Sequence, residues 1–457
     1  MEESILYARG QGAVGDGKVK DTAAIQRCID RCSQEGGGTV VLERGVYLCG
    51  TLYLRSNVTL DIRRSAVLLA SPEIGDYGAD THYNRYKNEH DMDRCWLYGE
   101  DLENITIAGE GEINGNAAAF PNGGSIYRPM MMRFLRCRNI SLRNLRLTES
   151  AAWTAAFLDS SCIRAENLTI RNQTNYNGDG LDFDGCSQVF VRGCVIEGTD
   201  DNLCLQASSR EYPTEDIHIS DCSFTSLCAG IRIGLKSIGD IRDVAVSNCT
   251  MGNVWREGIK IECSEGGEIS NITVQNVVMR NVSRPLFVIL NNRYQPEGLG
   301  SSLTLDHVPE VGRLGGIIVQ NLLASDDEEM KRPHLRFGKD LMGAPWFNGI
   351  RIDAAQGHYI DGVTLENVRY RAAGGVKKTD IPAEYPLLKV QERPEEIPES
   401  GNYEPAWSRA AFMDIRNVRG LVLSNVGFEA MEPDERVPYV LENCGTVKEE
   451  VIVRETH

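Results

Sequence analysis

Short runs of alternating apolar and polar residues recur along most of this chain. Six-residue segments of the form apolar-x-apolar-x-(Asn/Asp/Gly)-apolar or Cys occur at 140–145, 163–168, 189–194, 217–222, 244–249 and 272–277. Their last residues lie 23, 26, 28, 27 and 28 positions apart, and three further copies end at Leu322, Val368 and Val426. Period-two alternation predicts strands with one buried face. A repeat length in the twenties predicts a solenoid with one repeat per coil. Leucine-rich repeats share that period but need a leucine framework and a helical segment in each repeat. Here Val, Ile and Thr strands are broken by Asn and Gly, with little helical periodicity after residue 35. The expected fold is all-β, a right-handed parallel β-helix.

The repeat assigns places to other residues. Asn144, Asn167, Asn248, Asn276, Asn321, Asn367 and Asn425 fall at one turn of each coil. Asn tolerates left-handed backbone there, and stacked amides can bond to one another up the column. Cys194, Cys222 and Cys249 are expected just inside it. Residues 21–34 carry Ile25, Cys28, Ile29 and Cys32 on one helical stripe and predict an amphipathic helix capping the N-terminal end of the solenoid. The Cys28/Cys32 pair reads as core packing, because no further Cys or His follows at metal-ligand spacing. Insertions at 283–315, 325–350 and 372–415 are rich in Pro, Gly and charge and are expected to line a groove. The whole, 1–457, reads as a single catalytic β-helix domain.

Composition narrows the partners. The chain has 457 residues, 42% hydrophobic, with 48 Lys and Arg against 65 Asp and Glu, a formal charge of −17. That balance argues against nucleic acid or an anionic membrane surface as the main partner, and no apolar run approaches the roughly 20 residues needed to span a bilayer. Residues 1–15 lack a basic start and a long apolar stretch, so no secretory signal is visible. The 14 cysteines show no small-scaffold disulfide pattern. The expectation is a cytoplasmic, reduced protein, or a secreted one if a leader has been removed.

Three acidic residues stand out against the repeat. Asp179, Asp200 and Asp201 lie 21 and 22 positions apart, close to one coil length, in Asn177-Gly178-Asp179-Gly180 and Thr199-Asp200-Asp201-Asn202. Stacked carboxylates repel when both are ionised, which raises at least one pKa and makes an acid and a base available near neutral pH. Glycosidic bond hydrolysis needs such a set. Strand alternation sends Leu181, Phe183, Leu203, Leu205, Ile231, Ile233, Ile259 and Ile261 inward. It sends Asp182, Asp184, Asn202, Cys204, Gln206, Arg232, Lys260 and Glu262 outward, so one face carries acids followed by bases. Glycines bracket these rungs and suggest a groove.

At these residues the chain resembles glycoside hydrolase family 28, the polygalacturonase family of right-handed β-helices. Asn177-Gly178-Asp179-Gly180 resembles its Asn-Thr-Asp-Gly, and Thr199-Asp200-Asp201 its Gly-Asp-Asp. The resemblance runs from Gly15-Asp16-Gly17 and Gly36-Gly37-Gly38-Thr39-Val40 through Arg128-Pro129 and Ser150-Ala151-Ala152-Trp153-Thr154 to the C-terminal strands. It implies Asp200 as the general acid, with Asp179 and Asp201 holding and deprotonating the attacking water. Hydrolysis would proceed by single displacement with inversion, across carboxyl separations of roughly 6.5–9.5 Å, and with neither metal nor cofactor. Asn177, Asp182, Gln206, Arg232, Lys260, Glu262 and Tyr294 are the expected substrate-binding residues. Two motifs depart from the family. Cys228-Ala229-Gly230 stands where the family has Gly-His-Gly, and Lys260-Ile261-Glu262 where it has Arg-Ile-Lys. In the family those cations grip the carboxylate of galacturonate. Arg232 and Lys260 offer a grip here, which Glu262 would oppose.

The expected substrate is a pectin-type oligosaccharide, galacturonide or rhamnogalacturonan-like, cleaved from its end because long insertions would block the groove. A non-uronic glycoside, a β-helix polysaccharide lyase with Arg232 or Lys260 as base, and a non-catalytic carbohydrate-binding solenoid are the alternatives. Trp255 and Arg256 precede the Lys260 strand at a candidate groove edge. His82, His90, His307 and His358 read as surface or packing residues, and His218 as structural.

Overall fold

The computed structural model describes residues 4–81, 94–120, 128–294, 305–326, 348–381, 387–396, 408–445 and 447–454. Among them nearly all regular structure is parallel β-strand; the one helix longer than a single turn is Thr22–Gln34. The chain groups into two compact units, Met1–Asp200 and Asp201–His457, divided between two consecutive aspartates.

In the first unit the strands stack in three columns. One runs Leu52–Tyr53, Cys95–Glu100, Met130–Leu135, Ala155–Leu158, Leu181–Asp184. The second runs from Ser4–Tyr7 through Gly38–Leu42, Val58–Ile62, Glu103–Ala108, Arg138–Arg143 and Ser161–Glu166 to Ser187–Arg192. The third runs from Asp16–Lys20 to Val195–Gly198. All these pairings are parallel, and from Gly38 onward successive strands visit the three columns in turn, which is a parallel β-helix. The repeat alignment is the observed register: Ile140 lies opposite Ile163, and Ile163 opposite Val189.

The interior is apolar because alternate residues point into it. Phe134, Phe157 and Phe183 stack on successive coils with ring centroids 5.0 and 4.9 Å apart. Each fully buried ring or branched side chain contributes about 1.5–3 kcal/mol. The helix begins at Thr22, one residue later than expected, because the Asp21 carboxylate turns back to accept the Val14 and Gly15 N–H groups at 2.6 and 2.9 Å. Its Ile25, Cys28, Ile29 and Cys32 are buried against strands that include Ser4–Tyr7 and Gly38–Leu42. It covers the start of the stack as expected.

The second unit repeats the pattern. One column holds Leu203–Ala207, Ile231–Ser237, the ends of Thr250–Cys263 and Glu268–Leu290, then Ile350–Ala354, Ala410–Arg416 and Val437–Glu442. Another aligns Ile217, Val244, Ile272, Ile317, Val363 and Leu421 rung by rung. Strands here run through the corners: Glu268–Leu290 spans 23 residues and contains Asn271, Asn276 and Asn281 with φ of 54 to 57°. The expected Asn column is present. Asn276 donates to Asn248 at 3.1 Å, Asn321 to Asn276 at 2.9 Å, Asn367 to Asn321 at 3.0 Å and Asn425 to Asn367 at 2.8 Å.

The insertions are shorter than their composition suggests. Residues 283–290 close a strand and 313–315 open the next; 372–374 and 410–415 are likewise strand. Arg284 and Pro285 read as loop punctuation, but the ladder resumes at Leu286 after a shift in register. The part of the third insertion at 387–396 is tied back onto the solenoid. Gln391 exchanges backbone and side-chain hydrogen bonds with Asn292 and Tyr294 at 2.7 to 3.0 Å. Leu388 and Val390 pack on Phe287, Ile289 and Ala355.

Candidate active site

In the first unit, the corner leading into Leu181–Asp184 positions Asn177 and Asp179. Asn177 takes a left-handed conformation, φ 55°. The buried Arg128 guanidinium donates to Tyr176 O at 2.5 Å and to Asn177 Oδ1 at 3.0 Å. This orients the amide so that Nδ2 points to Asp200 Oδ2 at 3.4 Å. Gly178 is required by space: a Cβ there would lie 2.6 Å from Thr199 Oγ1 and 2.7 Å from Asn172 O. Its N–H donates to Thr199 Oγ1 at 3.0 Å, and that hydroxyl donates to Asn175 O at 2.5 Å. The Asp179 carbonyl accepts from Thr154 N–H at 3.1 Å and Thr154 Oγ1 at 2.6 Å. The Ser150–Thr154 motif therefore acts by seating Asp179.

Exposure separates the carboxylates. Asp179 and Asp182 are buried, whereas Asp200 is partly exposed. Leu181 and Phe183 face the interior and Asp182 and Asp184 the other side, as alternation requires. That other side is not open: Asp182 and Asp184 are buried, and they continue the outward row of Ala156 and Leu158, which belong to a smaller apolar cluster with Tyr98, Leu135 and Trp153.

In the second unit, Leu203, Leu205, Ile231, Ile233, Ile259 and Ile261 face inward and are fully buried. Cys204, Arg232 and Lys260 stand in register on the outer row. The Asp201 carboxylate accepts the Ala229 N–H at 3.1 Å and an Arg232 N–H at 2.8 Å. Burial alone would raise the Asp201 pKa, but the charges of Arg232 and Lys260 outweigh it and hold the group below the ordinary carboxylate range.

Arg232 bridges two acids. Its Nε and Nη2 donate to Glu262 Oε2 at 3.2 and 3.0 Å. Glu262 is 1% exposed and also faces Lys260 Nζ at 3.4 Å. Lys260 lies over the Phe287 ring, 5.8 Å from its centroid. Glu262 is therefore a built-in partner of both cations. Gln206 is buried, with Nε2 3.1 Å from Cys204 Sγ. Tyr294 is half-buried and clamped through its backbone to Gln391, away from the Arg232 row in its bonding.

Sequence reasoning missed Glu257, Arg284 and Phe287. Glu257 is wholly buried at a shift in strand register, with Arg256 at 3.4 Å and Lys260 and Arg284 each at 3.9 Å. Phe287 pairs with Lys260 one rung on, a position the repeat register would have supplied. Trp255 and Arg256 are half-buried at the same irregularity. His218 is exposed and 2.9 Å from Asp216, His307 is exposed and His358 half-buried; His82 and His90 lie outside the described residues.

The chain is similar to known proteins. A "Probable polygalacturonase" of Vitis vinifera is 28% identical over 279 residues, 55% of each chain. An "Exo-poly-alpha-D-galacturonosidase" of Dickeya chrysanthemi is 24% identical over 294 residues, 52% of this chain and 48% of the relative. This chain thus spans about half the length of the curated relatives it matches. The structure of a family 28 exopolygalacturonase from Yersinia enterocolitica superposes with a TM-score of 0.72 at 18% identity, over 97% of this chain and 78% of that one; at that identity the likeness speaks for the fold. The family model for glycosyl hydrolases family 28 matches residues 54–307, more than half of the chain and all of the Asp179, Asp200 and Asp201 motifs, and the chain belongs to that family.

Proposed function

We propose that this chain is an inverting glycoside hydrolase that removes residues from the end of pectin-type oligosaccharides, galacturonide-containing or rhamnogalacturonan-like. The family match over 54–307, with Asp179, Asp200 and Asp201 in motif order, carries the reading. Asp200 protonates the leaving glycosidic oxygen, and Asp179 and Asp201 hold the water and take its proton. The cations facing Asp201 support its part in this division, since a base must stay ionised at the pH at which the acid is protonated. Exo-acting relatives support end-on cleavage.

A specific observation favours a second reading of the substrate. Glu262 draws on both Arg232 and Lys260, which weakens their grip on a uronate carboxylate and suits a neutral sugar at that position. A panel of defined galacturonide, rhamnogalacturonan and neutral oligosaccharides, with products followed by mass and anomeric NMR, separates the two. On the substrate that turns over, the first product should appear with inverted configuration. Asp200→Asn should lose about 10²-fold or more in kcat; full turnover by that variant would sink the assignment.

A further inference from the structure

We propose that Glu262 is a positioning residue: it fixes the Arg232 guanidinium so that Arg232, with the Ala229 N–H, clamps Asp201 in one ionised orientation. The inference rests on the reading of Asp201 as part of the base, and goes beyond it by giving Glu262 a role other than contact with sugar.

Three observations carry it. Arg232 spends Nε and Nη2 on Glu262 Oε2 and Nη1 on Asp201 Oδ2. The planar fork of arginine spans two carboxylates in a way that a lysine cannot. Asp201 then has a fixed donor on each oxygen, Ala229 on Oδ1 and Arg232 on Oδ2. Glu262 is itself immobilised. It is 1% exposed and its carboxylate faces Lys260 at 3.4 Å, and its backbone packs against Gly234 on the adjoining coil, where a Cβ would lie 2.0 Å from the Glu262 carbonyl. Leu388 and Val390 cover Phe287 and Ile289, the next residues on this face, and thin the water around the pair. Charged and titratable groups of the second unit that face Asp201 include Arg232, Lys260, Cys228 and, through Arg232, Glu262; Asp200 is its chain neighbour.

The direction of a pH shift tests the idea. Removing Glu262 removes a negative charge, which by itself would lower the Asp201 pKa. Releasing the guanidinium from its anchor would raise it. We expect Glu262→Leu to move the acidic half-maximum of kcat/KM upward by about one pH unit, with kcat reduced and KM held within about twofold. In an Arg232→Leu background the same substitution should add nothing further, because the two residues act as one unit. Arg232→Lys keeps the charge but loses the second attachment, and should also move the acidic limb upward; it answers the question should Glu262→Leu fail to fold. A downward or absent shift, or equal effects with and without Arg232, overturns the proposal. Full turnover by Asp201→Asn overturns the base reading and this inference together, whereas an inactive Asp201→Asn beside a downward shift in Glu262→Leu overturns the positioning role alone.

Discussion

Asp353 and Asp201 are both buried aspartates bonded to an arginine, and their pKa values move in opposite directions. At Asp353 burial dominates: although Arg351 lies 2.9 Å away, desolvation and the neighbouring Asp414 push the group up to about 6. At Asp201 the burial is as deep, but Arg232 and Lys260 together prevail. The sign of the stability effect follows. Between about pH 4 and 6 folded Asp353 holds a proton that the unfolded chain has released, so stability falls as pH rises through that window, by at most about 1.4 kcal/mol per pH unit, and levels off above it. Asp201 contributes the opposite slope, lost as pH falls through its depressed pKa. Urea midpoints from pH 4 to 7 should therefore decline less steeply in Asp353→Asn than in the parent chain. Identical slopes would show that Asp353 titrates normally. Neither behaviour is legible in the sequence: alternation puts Arg351 and Asp353 on one face of a strand and Arg232 in the outward row, but it does not say how deeply each pair is buried or which charge prevails.

The asparagine columns show what an element-level pattern transmits. Asn321 has φ 54°, donates to Asn276 and accepts from Asn367. Two costs can be separated there. Asn321→Gly keeps the left-handed corner and loses the ladder, at about 1 kcal/mol. Asn321→Ala loses both, adding about 1–2 kcal/mol for the backbone. Chemical denaturation should rank the proteins in that order, and equal losses would mean that the amide ladder alone matters. This column was visible because its members recur at one place in the sequence repeat. Others were not: the corner through Asn57, Asn104 and Asn139 is continued by Cys162 and Gln188, also left-handed, so no single residue type marks it. The insertions were misjudged at their edges for a related reason. Pro and Gly punctuate a chain, but at 283–290 strand pairing to the preceding coil overrides them.

For the whole molecule, the cysteines give a direct check. All 14 are free thiols, and only Cys162, Cys228 and Cys444 are partly exposed. Labelling of the native protein should stop at those three, the rest reacting only on unfolding, and a reductant should leave Tm unchanged; a reductant-sensitive Tm would contradict the assignment of free thiols. The sequence by itself determined the repeat, the inward and outward rows, the capping helix and the order of the three aspartates, because strand period and coil length are local properties written in the spacing of residues. Only the tertiary structure decided that the outer row is covered, that Gln391 and Leu388 return to the solenoid from the third insertion, and that Glu262 binds Arg232 and Lys260. Those outcomes depend on which side chains distant in the chain meet in a space without water. There a carboxylate placed among cations becomes their partner, a result that charge and spacing along the sequence do not contain.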